Sequence, residues 1–192
     1  MKYESLDGYE VLVCVTGGIA AYKAASLVSA LVQKNAAVTV AMTANATRLI
    51  GPATFRALTG RAVYTDLWAE TFSADIEHIS LSDRADLVVV APATANILAK
   101  MTAGIADDLV STTLLSVADP VLLAPAMNQR MWLNPATQQN VSTLKARGHI
   151  ILGPESGWQV CGKAGPGRMS EPETILQAVE ETLRHREPKR AS

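Results

Sequence analysis

The chain has 192 residues, a net charge of −1, and a composition that is 48% hydrophobic and 18% charged. This length fits one domain with a sizeable core, and the near-neutral charge argues against a nucleic-acid-binding protein. The charged fraction is below the roughly 25% of typical globular proteins, which favours a sheet that is buried on both faces. Because the sequence has neither an apolar run of the roughly 20 residues needed to span a bilayer nor the basic start of a signal peptide, we expect a soluble cytosolic protein without membrane partners.

Short apolar segments alternate with helix-like segments along the whole chain. In chain order the predicted strands are 11–15, 38–42, 62–64, 87–91, 121–124 and 149–152. The predicted helices are 19–34, 53–58, 97–102, 108–116, 134–147 and a last helix that follows Ser170. Pro92 and Pro125 are expected to end their strands. Ser170 and Glu173 have capping-box spacing, and Pro172 is expected in the first turn of the last helix.

This alternation predicts a single α/β domain with a doubly wound parallel sheet. We expect a core of about 10–184, followed by a charged, frayed tail at 185–192. Right-handed crossovers place the carboxyl ends of all strands at one edge, which is where such folds bind ligands. Four segments with unusual residues follow predicted strands and should meet there: 16–18, Thr43, 92–96 and 125–128.

The first strand–helix turn suits a phosphate group. Gly17 and Gly18 allow close approach of a ligand to the backbone, and the start of the next helix favours an anion. The turn matches neither G-x-G-x-x-G nor a P-loop. Met42 and Thr43 stand at the end of the second strand, where an adenosine ribose would require an acidic residue, so the pattern favours a mononucleotide over NAD. A tight turn without any ligand is the alternative.

Polar side chains after the later strands have two possible roles. Thr94 and Asn96 are suited to bind a phosphate or a ring edge, and equally to cap the following helix. Asn128, beside the apolar Met127, offers donors and acceptors to a carboxylate, and capping is again the alternative. His78 is either a catalytic or a surface histidine. No group of residues has metal-ligand spacing, and no G-x-S-x-G hydrolase motif is present.

The segment 153–169 is long, rich in glycine, and carries Trp158 and Cys161. Loops of this length in compact domains are usually functional or disordered, and disordered segments do not favour such residues. We therefore predict a mobile lid that brings one thiol to the site. Cys14 lies in a predicted buried strand, so the two cysteines do not indicate a disulfide framework.

Four segments in this order resemble the homo-oligomeric flavin-containing cysteine decarboxylase family: TGGIAAYKAASLV, HISLSDRADLVVVAPATANILAKMTAGIADDLVSTT, PAMNQRMW and GPESGWQVCGKAGPGRM. The similarity extends from about residue 11 to 183. It implies a flavodoxin-like (Rossmann-like) fold, FMN as cofactor, and trimers with flavin sites at subunit contacts, in some cases assembled into dodecamers. The members that it resembles most decarboxylate phosphopantothenoylcysteine in coenzyme A synthesis.

The resemblance also implies roles for individual residues. The residues implied to contact FMN are Gly17, Gly18, Ile19, Thr43, Thr94, Ala95, Asn96, Ile97 and Ala126. His78 matches the active-site histidine, Asn128 with Met127 the substrate-binding motif, and Cys161 the proton donor of the flap. Two positions depart from the usual P-A-S-A-N-T motif, because Thr94 replaces Ser and Ile97 replaces Thr.

The implied reaction oxidises the substrate thiol to a thioaldehyde, which then accepts the electrons left by loss of carbon dioxide. Re-reduction of the resulting enethiol, with a proton from Cys161, yields 4′-phosphopantetheine. Three alternatives remain open at this point: a peptidyl-cysteine decarboxylase, a flavin prenyltransferase and a non-catalytic flavin-binding regulatory subunit. The PAMNQRMW segment and the cysteine flap argue against the prenyltransferase, and the basic tail against the regulatory subunit. The family's common bacterial form carries a second domain, and the sequence is compatible with either a monofunctional enzyme or one half of such a protein.

Overall fold

A six-stranded parallel sheet forms the centre of the computed structural model, which describes residues 5–68, 77–158 and 164–189, without the side chains of Glu77 and His78. The strands are β1 (Glu10–Val15), β2 (Ala37–Met42), β3 (Val63–Tyr64), β4 (Leu87–Ala93), β5 (Leu122–Pro125) and β6 (Ile150–Ile151). Their order is β3-β2-β1-β4-β5-β6, so the direction of winding reverses between β1 and β4. In doubly wound sheets such a reversal opens a crevice at the carboxyl ends of the strands.

Helices cover both faces of the sheet, as predicted. They are α1 (Ala21–Gln33), α2 (Ala44–Thr47), α3 (Pro52–Thr59), α4 (Glu77–Arg84), α5 (Ala95–Ala103), α6 (Leu109–Ser116), α7 (Gln129–Trp132), α8 (Pro135–Ala146) and α9 (Pro172–Leu183). The helices α1, α3 and α9 pack on one face, and α4, α5, α6 and α8 on the other. None of the helices in the described ranges is long and apolar enough to cross a membrane.

The sequence of β1 shows why the sheet is buried on both sides. Val11, Val13 and Val15 point into one hydrophobic cluster, whereas Leu12 and Cys14 point into the other. All five are at most 1% exposed. Because side chains alternate between the two faces of a strand, a strand covered on both faces needs a continuous apolar run.

Two predicted boundaries are wrong. The strand β4 continues through Pro92 to Ala93, because the pairing register with β5 shifts between Val90 and Ala93 and the missing N–H of proline falls in that irregularity. The last helix is capped at Glu171, without a side-chain cap hydrogen bond, whereas Ser170 is buried and its hydroxyl donates to the Leu152 carbonyl at 3.5 Å.

The expectation of a frayed tail is also wrong for the residues that the structure describes. The Lys189 N–H donates to Asp86 Oδ1 at 2.6 Å, and Lys189 Nζ donates to the Ala85 carbonyl at 2.9 Å. Lys189 Nζ also lies 3.1 Å from Asp119 Oδ2. The basic tail is therefore held by acidic groups at the amino edge of the sheet, opposite the edge where the unusual segments meet.

The predicted lid contains regular structure. Residues in its two halves form an antiparallel ribbon of β7 (Glu155–Trp158) and β8 (Ala164–Arg168). Residues 159–163, which connect these strands in the sequence and include Cys161, lie outside the described residues. The ribbon was not predicted from the sequence because its strands contain glycine and proline, which are depleted in ordinary strands.

Candidate functional site

A cleft of about 1130 Å³ opens at the carboxyl ends of β1, β2, β4 and β5. It lies where the sequence predicted convergence of the four unusual segments. The predicted site residues that line it are Gly17, Gly18, Ile19, Thr43, Thr94, Ala95, Asn96, Ile97, Ala126, Met127 and Asn128. For two predicted site residues the structure does not describe the side chain. The backbone of His78 lies in the first turn of α4, but its side chain is not described, and Cys161 is outside the described residues.

The two glycines of the β1–α1 turn pack against neighbouring segments. A Cβ atom on Gly17 would lie 2.4 Å from Asn45 Cβ, and one on Gly18 would lie 3.2 Å from Thr94 Cγ2. The glycines therefore let the β1–α1 turn pack closely against α2 and the β4–α5 loop, which is a packing role that the sequence did not indicate. The helix that follows, α1, has no side-chain cap among the described residues. The Ala21 and Lys23 N–H groups at its start donate to the Gly18 and Ala20 carbonyls, both at 2.9 Å.

A Gly17→Ala variant is expected to lose about 1–3 kcal/mol of unfolding free energy, because the added methyl group collides with the Asn45 side chain. We also expect weaker FMN binding, because relief of this collision displaces the turn. Denaturant unfolding and fluorescence titration with FMN measure the two effects.

Gly51→Ala is the matched control for this substitution. A Cβ atom on Gly51 would meet nothing within 4 Å, and the backbone φ there is −72°. Gly51 is the N-cap of α3, where alanine is less favoured than glycine, so we expect a loss of no more than about 1 kcal/mol of unfolding free energy. Equal stability of the two variants would contradict the packing role of Gly17.

Threonine hydroxyls join the β1–α1 turn to the β4–α5 loop. The Thr16 hydroxyl donates to the Pro92 carbonyl at 2.6 Å and lies 3.2 Å from the Thr94 hydroxyl. Thr94 Oγ1 in turn accepts from the Ile97 N–H at 3.4 Å and so caps α5. Thr43 caps α2 in the same way, by accepting from the Ala46 N–H. The capping alternative is thus confirmed for Thr94 and is wrong for Asn96, which lies inside α5. Thr43 and Thr94 still line the cleft.

Asn128 also combines a cap with a place in the cleft. Its Oδ1 accepts from the Arg130 N–H at 2.8 Å at the start of α7. Because Oδ1 accepts this bond, the NH₂ donor is the part of the side chain suited to bind a carboxylate. Two neighbouring backbone bonds fix the loop: the Ala126 N–H donates to the Ala93 carbonyl at 3.1 Å, and the Met127 N–H donates to the Gly167 carbonyl at 2.9 Å.

An ion cluster at one wall of the cleft was not predicted. Lys23 Nζ lies 3.0 Å from both carboxylate oxygens of Glu171, and the Arg168 guanidinium binds the same carboxylate. The hydrogen bond from Lys23, followed by that from Arg168, holds the pKa of Glu171 below its usual value. A signal was available in the sequence, since Lys23 interrupts the apolar face of α1 that is formed by residues such as Leu27.

A second ion pair lies at the rim of the cleft. Lys100 Nζ contacts Asp107 at 2.5 Å and Asp108 at 2.8 Å. Partial burial opposes the charge of Lys100, but the hydrogen bonds with the two carboxylates outweigh it and raise the pKa of this lysine. Asp108 also caps α6 through a capping box with Ser111. Lys100 therefore joins two carboxylates at the rim, and this group of three side chains keeps an excess of negative charge.

These features fit a flat aromatic ring with an attached phosphate. Ala126 and Met127 supply apolar surface, the threonine hydroxyls supply donors and acceptors, and the amino end of α1 suits the phosphate through the positive end of the helix dipole. FMN has this shape and chemistry. In the described ranges, no group of three or more His, Cys, Asp or Glu side chains is arranged to hold a metal ion.

Relatives of known name share most of this chain. It is 48% identical over 175 residues to the coenzyme A biosynthesis bifunctional protein CoaBC of Bacillus subtilis strain 168, with 91% of this chain and 43% of the relative covered. The CoaBC protein of Mycobacterium bovis is 49% identical over 166 residues, with 86% and 39% covered. The chain spans less than half the length of these relatives.

Solved structures with the same fold are matched by this chain over nearly their full length. A mutant PPC decarboxylase complexed with pantothenoylaminoethenethiol superposes with a TM-score of 0.85 and 28% identity, over 92% of this chain and 98% of that one. The FMN-dependent cysteine decarboxylase SpaF gives a TM-score of 0.77 and 32% identity, over 91% and 99%. The family model described as Flavoprotein matches residues 1–184. The chain therefore belongs to the flavoprotein family.

Proposed function

We propose that this protein binds FMN and decarboxylates phosphopantothenoylcysteine to 4′-phosphopantetheine, a step of coenzyme A synthesis. The observation that carries the proposal is the single cleft in which the described FMN-site residues and Asn128 meet. Similarity to CoaBC proteins and to a PPC decarboxylase in complex with pantothenoylaminoethenethiol supports this substrate. The described part of the cleft has no feature that favours a second function.

The chain's own residues would hold the cofactor in a definite arrangement. The amino end of α1, with Gly17, Gly18 and Ile19, would bind the phosphate, and Thr43 would bind nearby. The residues assigned to the ring are Thr94, Ala95, Asn96, Ile97 and Ala126. When bound, FMN supplies reversible hydride acceptance, which lets the substrate thiol become a temporary electron sink.

Three side chains carry the remaining chemistry. Asn128 would hold the substrate carboxylate through its amide donor, with Met127 beside it. His78 would assist deprotonation or orientation of the thiol. Cys161 would give a proton to the unsaturated thiol during re-reduction, so that the saturated product is released. Because Cys161 has to remain a thiol for this role, we propose a reducing, cytosolic location.

We also propose that the protein assembles into trimers, with dodecamers as a further possible assembly. Large apolar side chains near the cleft are exposed: Ile19 at 63%, Tyr22 at 64%, Met131 at 49%, Leu133 at 56% and Trp158 at 71%. Such a concentration of exposed apolar surface is typical of an interaction site. Subunit contacts at this surface would cover these side chains and close the open side of the cleft.

Purified protein supplied with FMN is expected to retain flavin absorption bands after desalting. Incubation with phosphopantothenoylcysteine should then yield 4′-phosphopantetheine and carbon dioxide in equal amounts, without any added oxidant, because the hydride taken from the carbon that bears the thiol is returned. Mass spectrometry of the products and the spectrum of the desalted protein measure both outcomes. A colourless protein, or unchanged substrate with a coloured protein, would contradict the proposal.

A further inference from the structure

The β7–β8 ribbon is fixed to the cleft at its base. The Gly167 carbonyl accepts from the Met127 N–H at 2.9 Å, which joins β8 to the loop that carries Asn128. A Cβ atom on Gly165 would lie 2.3 Å from Gln129 Oε1, so the ribbon packs directly on α7. The base of the ribbon thus has a defined position beside the site, and Cys161 lies between the two strands in the sequence.

The Glu171 cluster extends this anchorage across three elements. Arg168, the last residue of β8, packs on β7, because a Cβ atom on Gly157 would lie 3.1 Å from Arg168 Nη1. The Arg168 guanidinium binds the Glu171 carboxylate, which also binds Lys23 on α1. Lys23 Nζ additionally donates to the Met169 carbonyl at 3.4 Å. A continuous polar connection therefore runs from the ribbon through the start of α9 to α1.

The charges in this cluster depend on one another. The Lys23 side chain is only 11% exposed, so its ammonium group needs a partner. Glu171 supplies one carboxylate to two cations, and neither cation keeps an ion pair with this residue when Glu171 becomes neutral. Because Glu171 precedes α9 and Arg168 ends β8, neutralisation would release the connection at the base of the ribbon and leave the α/β core intact.

We propose that Glu171 is a positioning residue that holds the β7–β8 ribbon against the cleft through Arg168 and Lys23. This inference rests on the proposed function, in which the ribbon brings Cys161 to the substrate. Re-reduction of the unsaturated thiol adds one hydride, which is the hydride removed in the first half of the reaction, and one proton from Cys161. A displaced ribbon would slow delivery of that proton and leave the first half of the reaction in place.

Glu171→Gln tests the inference, with Glu173→Gln, an exposed residue in the first turn of α9, as the matched control. In FMN-free protein we expect amide hydrogen exchange in 155–158 and 164–168 to rise at least 10-fold for Glu171→Gln. With FMN and substrate, the ratio of oxidised to saturated product should rise by a similar factor. The control should match the wild type in both measurements. Lys23→Met should reproduce the effects of Glu171→Gln, and the double variant should add little to either.

The two measurements separate this inference from the proposed function. Amide exchange rates equal to those of the wild type in both Glu171→Gln and Lys23→Met would overturn the positioning role, whatever the ratio of oxidised to saturated product. Increased exchange together with a wild-type product ratio would overturn the link to proton delivery. Absence of any decarboxylated product from the wild type would instead contradict the proposed function. If Glu171→Gln does not fold, Lys23→Met and Arg168→Met decide the outcome by the same exchange measurement.

Discussion

An Asn128→Asp variant is expected to bind FMN normally and to lose decarboxylation by about 10³-fold or more. The substitution keeps the cap of α7, because Asp accepts the Arg130 N–H as well as Asn does. It replaces the amide donor with a carboxylate that faces the substrate carboxylate. Such like-charge contacts cost several kcal/mol, and about 4 kcal/mol corresponds to a 10³-fold loss. Turnover by mass spectrometry and FMN titration are the two measurements.

Asn134→Asp is a close control for this variant. Asn134 caps α8 by accepting from the Ala136 N–H at 2.9 Å, which is the geometry of Asn128 at α7. It is exposed and is not part of the cleft lining. We expect Asn134→Asp to retain wild-type turnover. Substantial activity in Asn128→Asp would rule out the carboxylate-binding role, and equal losses in both variants would point to a general effect of added charge.

The position of the cleft was predictable because it depends on local patterns. Each buried strand is a continuous apolar run, and parallel strands bring their carboxyl ends to one edge. The polar and glycine residues that follow those strand ends in the sequence are therefore expected to lie close together. They are the turn glycines, Thr43, Thr94 and Asn128. The two roles of Thr94 were harder to separate, because one hydroxyl both caps a helix and lines the cleft.

Contacts between distant parts of the chain were beyond prediction. Lys23 and Glu171 are 148 positions apart, and neither belongs to a motif that indicates a partner. The ribbon was missed for a related reason, because its stability comes from packing on Gln129 and from Arg168, whereas its own glycines disfavour strands. The docked tail depends likewise on Asp86, about 100 positions earlier.

A Cys161→Ser variant is expected to bind FMN and decarboxylate the substrate, but to release an oxidised enethiol in place of 4′-phosphopantetheine. A serine hydroxyl is a much weaker acid than a thiol, so it does not supply the proton for re-reduction. The saturated product should fall by at least about 100-fold, as expected for loss of a general acid. Each turnover would leave the flavin reduced, so the absorption of oxidised FMN should bleach in proportion to the product formed under anaerobic conditions.

The other cysteine provides the control that makes this result specific. Cys14 is fully buried in β1, and burial, assisted by the charge of Asp108, raises the pKa of its thiol to about 12. It therefore keeps its proton at neutral pH and has no access to the cleft. Cys14→Ala should cost about 1 kcal/mol of stability and still give saturated product. Normal saturated product from Cys161→Ser would remove the proton-donor role. Loss of saturated product in Cys14→Ala as well would show that the effect comes from a disturbed fold, because Cys14 lies in the core and does not line the cleft.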